Sequence, residues 1–232
     1  MKGLLSLKVK KVDQAIVAYR NAKNLRPDLS AYFGLVKSFI AGHRYKEALF
    51  SAKEAVKAMP HNARALTLLG EVHAQHSVTR GKARMLYERA LILDPTCTDA
   101  VLSLSDLEVG QDHYSGALKL LKGHLSQSPS ALVHIKLGTI MGLIARQVGH
   151  EQSTQYLGEA LGHFQEALSM NPGSEEARQG VARTEKMMKG MDPDPEDGGD
   201  PITEEGGDLE DGDIDAEVDV GVNETEMEMD RW

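Results

Sequence analysis

His73 and His76 stand three residues apart, a spacing that puts two imidazoles on one face of a helix, as metal ligands are often placed. No cysteine or carboxylate shell accompanies the pair, so the two read as surface or groove residues rather than as a metal site. Cys97 is the only cysteine. Alone it makes neither an internal disulfide nor a cysteine zinc cluster, which suits a reducing compartment, and nothing marks it as a reactive thiol. The segments Asp192-Pro193-Asp194 and Asp208 to Asp215 imitate calcium loops, but the glycine and the closing glutamate are not at the required spacing. Phosphate-binding Gly-Lys-Ser/Thr loops, nucleophile elbows and His-Glu-x-x-His helices are all missing. The sequence therefore predicts no catalytic residue, no cofactor and no metal. Thr225, followed by Glu226 and Glu228, suits an acid-directed kinase, and the Asn223 sequon is one in form only.

Charge divides the 232 residues into two unlike regions. Residues 192–232 hold 18 acidic side chains and one basic side chain, Arg231, a net −17 that leaves +8 for the rest of a chain whose total is −9. With that density of Asp, Glu and Gly, residues 191–232 are expected to be a disordered acidic tail. No apolar run reaches the 18 to 20 residues or so of a membrane span, so no membrane partner is expected.

Within residues 1–190 the elements that must position any binding surface announce themselves as a repeat. Ala, a residue four on, a residue seven on and Pro twelve on recur as Ala15-Tyr19-Ala22-Pro27, Ala48-Ala52-Ala55-Pro60, Ala83-Tyr87-Ala90-Pro95, Ala117-Leu121-His124-Pro129 and Ala160-Phe164-Ala167-Pro172. The prolines are 33, 35, 34 and 43 residues apart. Positions i, i+4 and i+7 share a helix face, where small side chains admit a neighbouring helix and a ring fills the gap. The proline then stops the helix. Amphipathic segments upstream, such as Tyr32-Leu35-Val36-Phe39 and Leu66-Leu69-Gly70-His73, complete a helical hairpin of about 34 residues. His124, at a position usually small, reads as a packed histidine.

This pattern resembles the tetratricopeptide repeat. The resemblance implies an all-α solenoid of about five repeats whose inner helices line a groove for peptide segments. A helix over 174–189, N-capped by Ser174 with Glu175 and Glu176 in its first turn, is expected to cap the last hairpin. Met1 falls inside the first repeat, with Gly3 where Gly70 and Gly138 stand in theirs, which predicts a piece of a longer array. The 43-residue interval leaves about ten residues to be absorbed between Met141 and Ala160, by longer helices or by a loop near Gly149-His150. Candidate groove residues are Lys37, Arg64, Glu71 and Asp106. One class of these repeat proteins clamps the C-terminal carboxylates of chaperones with Lys and Asn at the fifth and ninth inner-helix positions. Here those are Phe33 and Lys37, Thr67 and Glu71, Leu102 and Asp106, and two acids where donors are needed argue against that class.

A narrower resemblance lies in Arg44-Tyr45-Lys46-Glu47-Ala48, Ala65 to Leu69, Lys82-Ala83, Arg89-Ala90-Leu91, Ala117 to Leu121 and Ala167 to Pro172, followed by a helix bearing Glu185-Lys186-Met187 and an acidic tail. These resemble the C-terminal repeats of the subunit 7 family of the anaphase-promoting complex. The resemblance implies a non-catalytic scaffold subunit of a multisubunit ubiquitin ligase acting in the cell cycle, nuclear and cytoplasmic, partnered by other tetratricopeptide subunits. The alternative is a general tetratricopeptide adaptor or co-chaperone. Nucleic acid is not an expected partner, since basic and aromatic residues do not interleave.

Overall fold

The computed structural model describes residues 11–191. The candidate phosphosite Thr225, the acidic tail beyond Met191, and Met1 and Gly3 lie outside the described residues. Ten α-helices follow one another within them: α1 Val12–Leu25, α2 Leu29–Ala41, α3 Tyr45–Ala58, α4 Ala63–Ala74, α5 Arg80–Leu93, α6 Thr98–Val109, α7 Tyr114–Leu125, α8 Ala131–Gln147, α9 His150–Met170 and α10 Glu175–Met188. A single 3-10 turn, Ser77–Thr79, leads into α5. No strand occurs among the described residues, and no described helix is long and apolar enough to cross a membrane.

Each helix packs on the next along the chain, and the even-numbered helices α2, α4, α6, α8 and α10 also pack on one another in succession. The backbones of the odd-numbered helices do not pack on one another, so these helices form the outer layer. This is the stacked-hairpin architecture of an α-solenoid. Its spacing follows from the lattice alanines: Ala15, Ala48, Ala52, Ala55, Ala83, Ala90, Ala117, Ala160 and Ala167 are all fully buried. Leu121 and the rings of Tyr87 and Phe164 are buried with them.

The rings explain the inner-helix glycines. A Cβ added at Gly70 would lie 2.4 Å from the Tyr87 ring, and one at Gly34 would lie 2.2 Å from that of Tyr19. Phe164 serves two helices: a Cβ at Gly138 would stand 2.8 Å from it and one at Gly180, in α10, 2.4 Å. One outer aromatic thus locks an inner helix at the only distance a bare backbone permits.

Two groups of lattice residues sit differently from the rest. Ala22 is exposed, because α1 packs only on α2 among the described residues, whereas α3, α5, α7 and α9 each lie between two helices. Pro27, Pro60, Pro95, Pro129 and Pro172 are exposed as well, so they end helices and do not pack. The residue before a proline is driven out of the helical region. Arg26, Met59, Asp94 and Asn171, each directly before a lattice proline, have φ of −149, −137, −144 and −137° and close α1, α3, α5 and α9. The starts are set by caps: Asp28 accepts from the Ala31 N–H, Asn62 from those of Arg64 and Ala65, and Ser174 from that of Ala177. In the hairpin turns His43 and Asp112 take φ of 55 and 59°. Both stand five residues before a lattice alanine, and each is held by the hydroxyl of the tyrosine two residues on, Tyr45 at 3.2 Å and Tyr114 at 3.0 Å.

The ten additional residues before Ala160 lengthen both helices of the last hairpin. α8 has 17 residues and α9 has 21, against 12 to 14 in the others, with only Val148 and Gly149 between them. Helix extension, not an inserted loop, absorbs them.

Candidate interaction surface

Lys37 sits in the last half of α2, Arg64 and Glu71 at opposite ends of α4, and Asp106 in the last half of α6, all on inner helices. The structure does not gather the four into one cluster. It pairs each with a charge on the neighbouring inner helix. Lys37 Nζ meets Glu71 at 2.8 Å, Arg64 Nε meets Asp99 of α6 at 2.7 Å, and Asp106 pairs with Lys136 of α8. The result is a ladder of cross-repeat ion pairs over four successive inner helices. Asp99 raises the Arg64 pKa further by accepting its hydrogen bond. Lys37 also lies 5.3 Å from the Phe33 ring centre, a cation-π contact that holds the ammonium over the inner layer.

Such half-exposed pairs add only about 0–1 kcal/mol each to stability, so their larger effect is on what the surface accepts. Every candidate groove charge already has a partner of opposite sign, and the two acids repel a ligand carboxylate. A short peptide ending in acidic residues should show no saturable binding below about 100 µM by calorimetry. Low-micromolar binding would contradict this. The remaining clamp positions offer nothing: the Thr67 hydroxyl, 2% exposed, donates to the Ala63 carbonyl.

The histidine pair of α4 and the turn beyond it is packed. His73 is pushed down to about 4, first by burial and then by Lys82 and Lys53. His76 is lowered by burial and packs edge-on against Tyr45 at 4.7 Å. Among the described residues no three His, Cys, Asp or Glu side chains come together as they would around a metal ion. Because folding depresses the His73 pKa, the unfolded chain binds the proton more tightly. Stability should be full above pH 6.5 or so and should fall as pH drops toward 4. The loss is about 1 kcal/mol once solvent screening of a partly exposed ring is counted. Urea unfolding at pH 7 and pH 5 should show the decline, and His73→Gln should flatten it; equal slopes for the two proteins would contradict the assignment.

His124 is 5% exposed with Nε2 at 3.2 Å from the Thr98 hydroxyl, and Cys97, 5% exposed, precedes the first residue of α6. Four residues that the sequence reading passes over belong to the same inventory. Asp99 and Lys136 complete the ladder, and His134 of α8 meets His163 of α9 with their Nδ1 atoms 3.0 Å apart. Burial lowers the pKa of both members of that pair. The signal for Asp99 lay in the repeat period: it stands 35 residues after Arg64, as Glu71 stands 34 after Lys37.

Stacked hairpins, aromatic-glycine locks and an inner face of paired charges define a tetratricopeptide repeat protein. A tetratricopeptide protein of Thermus thermophilus, TTC0263, shares this fold with a TM-score of 0.62 at 19% identity, over 78% of this chain and 94% of that one. Within the class, the chain is a relative of anaphase-promoting complex subunit 7. It is 42% identical to the Arabidopsis thaliana protein of that name over 197 residues, and 32% identical to the Dictyostelium discoideum protein over 196. These alignments cover 85% and 84% of the chain and 34% and 32% of the relatives, so it spans about a third of their length. No family model matches the chain.

Proposed function

We propose that this chain is a non-catalytic scaffold element of the anaphase-promoting complex, the ubiquitin ligase that marks cell-cycle proteins for degradation, and that it acts in the nucleus and cytoplasm. The observation that carries this reading is the 42% identity to a subunit 7 protein over 85% of the chain. The fold supports it, since stacked hairpins present extended faces to neighbouring chains and each repeat touches only its neighbours. The inner ion ladder supports it too, because charges committed to one another hold the repeats in register and leave no anionic-peptide clamp. Its partners are the other tetratricopeptide subunits of the ligase. Purified alone with ubiquitin, activating enzyme and conjugating enzyme, the protein should build no ubiquitin chains. Ligase assembled without it should regain its composition when it is added back; chain formation by the isolated protein would refute a scaffold role.

A further inference from the structure

The lattice alanine of each outer helix makes the repeats comparable position by position. One residue before it and six after it stand Gln14 and Asn21 in α1, Glu47 and Glu54 in α3, Lys82 and Arg89 in α5, and Glu159 and Glu166 in α9. In α7 both positions are glycine, Gly116 and Gly123. These positions flank the clefts between consecutive outer helices, whose backbones do not pack on one another. Between α1 and α3, Lys23 reaches across to Glu54 at 2.9 Å, leaving a cavity of about 300 Å³. Between α5 and α7, Leu91 replaces that lysine in register and Gly123 replaces that glutamate. The cavity there is about 530 Å³.

The centre of this wider cleft's floor is apolar, with Val101 and Leu104 at 2% and 7% exposure below Leu91 and Leu120, while at one end Glu108 of α6 pairs with Arg84 of α5. His124 lines it too, 95% buried by its 5% exposure, and the Nδ1 of this ring has no hydrogen-bond partner. Glu88 stands exposed on the α5 wall and Lys119 exposed on the α7 wall. Met85 and Ile92, three residues before and four after Glu88 on the same helix face, are 66% and 76% exposed. Apolar surface of this extent, rimmed by charge and holding an unsatisfied polar ring, marks a site for a partner.

We propose that the α5–α7 cleft docks one amphipathic helix of a partner protein. The helix lays an apolar ridge at i, i+4 and i+7 onto Leu91 and Leu120, with an acidic residue toward Lys119 and a basic one toward Glu88. A Cβ added at Gly123 would meet nothing within 4 Å, so bare backbone there lets a second helix approach closely. Two opposite charges on facing walls set its direction. An extended segment would turn every second side chain away from the floor. The site is on the outer layer, away from the inner ion ladder, and does not depend on the proposed ligase role.

The probe is a labelled 14-residue helical peptide with leucines at i, i+4 and i+7, glutamates along one flank and lysines along the other. Titrated into the intact protein, it should bind with a Kd of tens of micromolar and shift the NMR signals of Gly116, Leu120 and Gly123. The G123Q variant, which places a long side chain where a Cβ meets nothing within 4 Å, should weaken it at least tenfold. Glutamine is the better helix former, so that variant should melt no lower than the parent, which separates filling of the cleft from misfolding. Exchanging the two charged flanks should weaken binding several-fold. No binding at 1 mM, equal binding by the variant, equal binding by a proline-broken peptide, or shifts confined to Lys37 and Glu71 would each overturn the proposal.

Discussion

Tyr87→Ala should lower the unfolding free energy by about 3–5 kcal/mol, the range for removing a fully buried ring. Tyr87 is 1% exposed, and its ring lies where a Cβ on Gly70 would fall. Alanine leaves the α4–α5 hairpin without its filler, and Leu104 and Leu107 of α6, which join Tyr87 and Ala83 in one apolar cluster, lose the same partner. The ring has a polar end as well. Burial, and then the charge of Glu71, hold its pKa above the usual value, while a hydrogen bond with the Ser103 side chain works in the opposite direction. Tyr87→Phe should therefore be much milder, about 1 kcal/mol, the worth of one hydrogen bond. Urea unfolding followed by circular dichroism separates the two: equal losses from Tyr87→Ala and Tyr87→Phe would show that the hydroxyl, not the packed ring, holds the hairpin.

Gly180→Val should release the last helix. A Cβ at Gly180 would fall 2.4 Å from the Phe164 ring, which is itself 4% exposed and pinned on its other side by Gly138. The ring has nowhere to retreat, so α10 must move away from α9. The expected loss is about 2–3 kcal/mol, the upper range for overpacking. In an array where each repeat touches only its neighbours, that loss stays local. Hydrogen exchange should rise across Glu175–Met188 and the adjoining part of α9 while α2 to α6 keep their protection. Uniform loss of protection along the chain would mean that the helices unfold as one unit and that α10 is more than a cap.

Much of this is legible in the amino-acid sequence. The proline lattice worked because proline removes a donor and forces its predecessor out of the helix, a local effect that needs no tertiary partner. The Ala-aromatic-Ala register worked because close approach of two helices tolerates few side chains. The cap at Ser174 was equally local, a hydroxyl three residues ahead of the amide it accepts from. What failed to show was whatever depends on a neighbour. Ala22 carries the lattice signature yet lies exposed, because burial is a property of the helix beside it and not of the residue. The choice between loop and longer helix before Ala160 turned on packing of α8 against α9, which leaves no exposed motif. Lys37, Arg64, Glu71 and Asp106 read from the sequence as groove residues with no stated partners. Their partners stand a repeat away, and only reading charge at the repeat period, Lys37 with Glu71 and Arg64 with Asp99, would have closed the ladder.

The role proposed for this stack of hairpins is that of a structural part of the anaphase-promoting complex. The direct measurement is affinity purification of the tagged full-length protein from dividing cells, with chemical cross-linking and mass spectrometry of the eluate. The other tetratricopeptide subunits of the ligase should co-elute in stable proportion, with cross-links from lysines of the repeat body such as Lys53, Lys57 and Lys119. An eluate without those subunits, or one dominated by chaperones bound through their acidic C-termini, would contradict it.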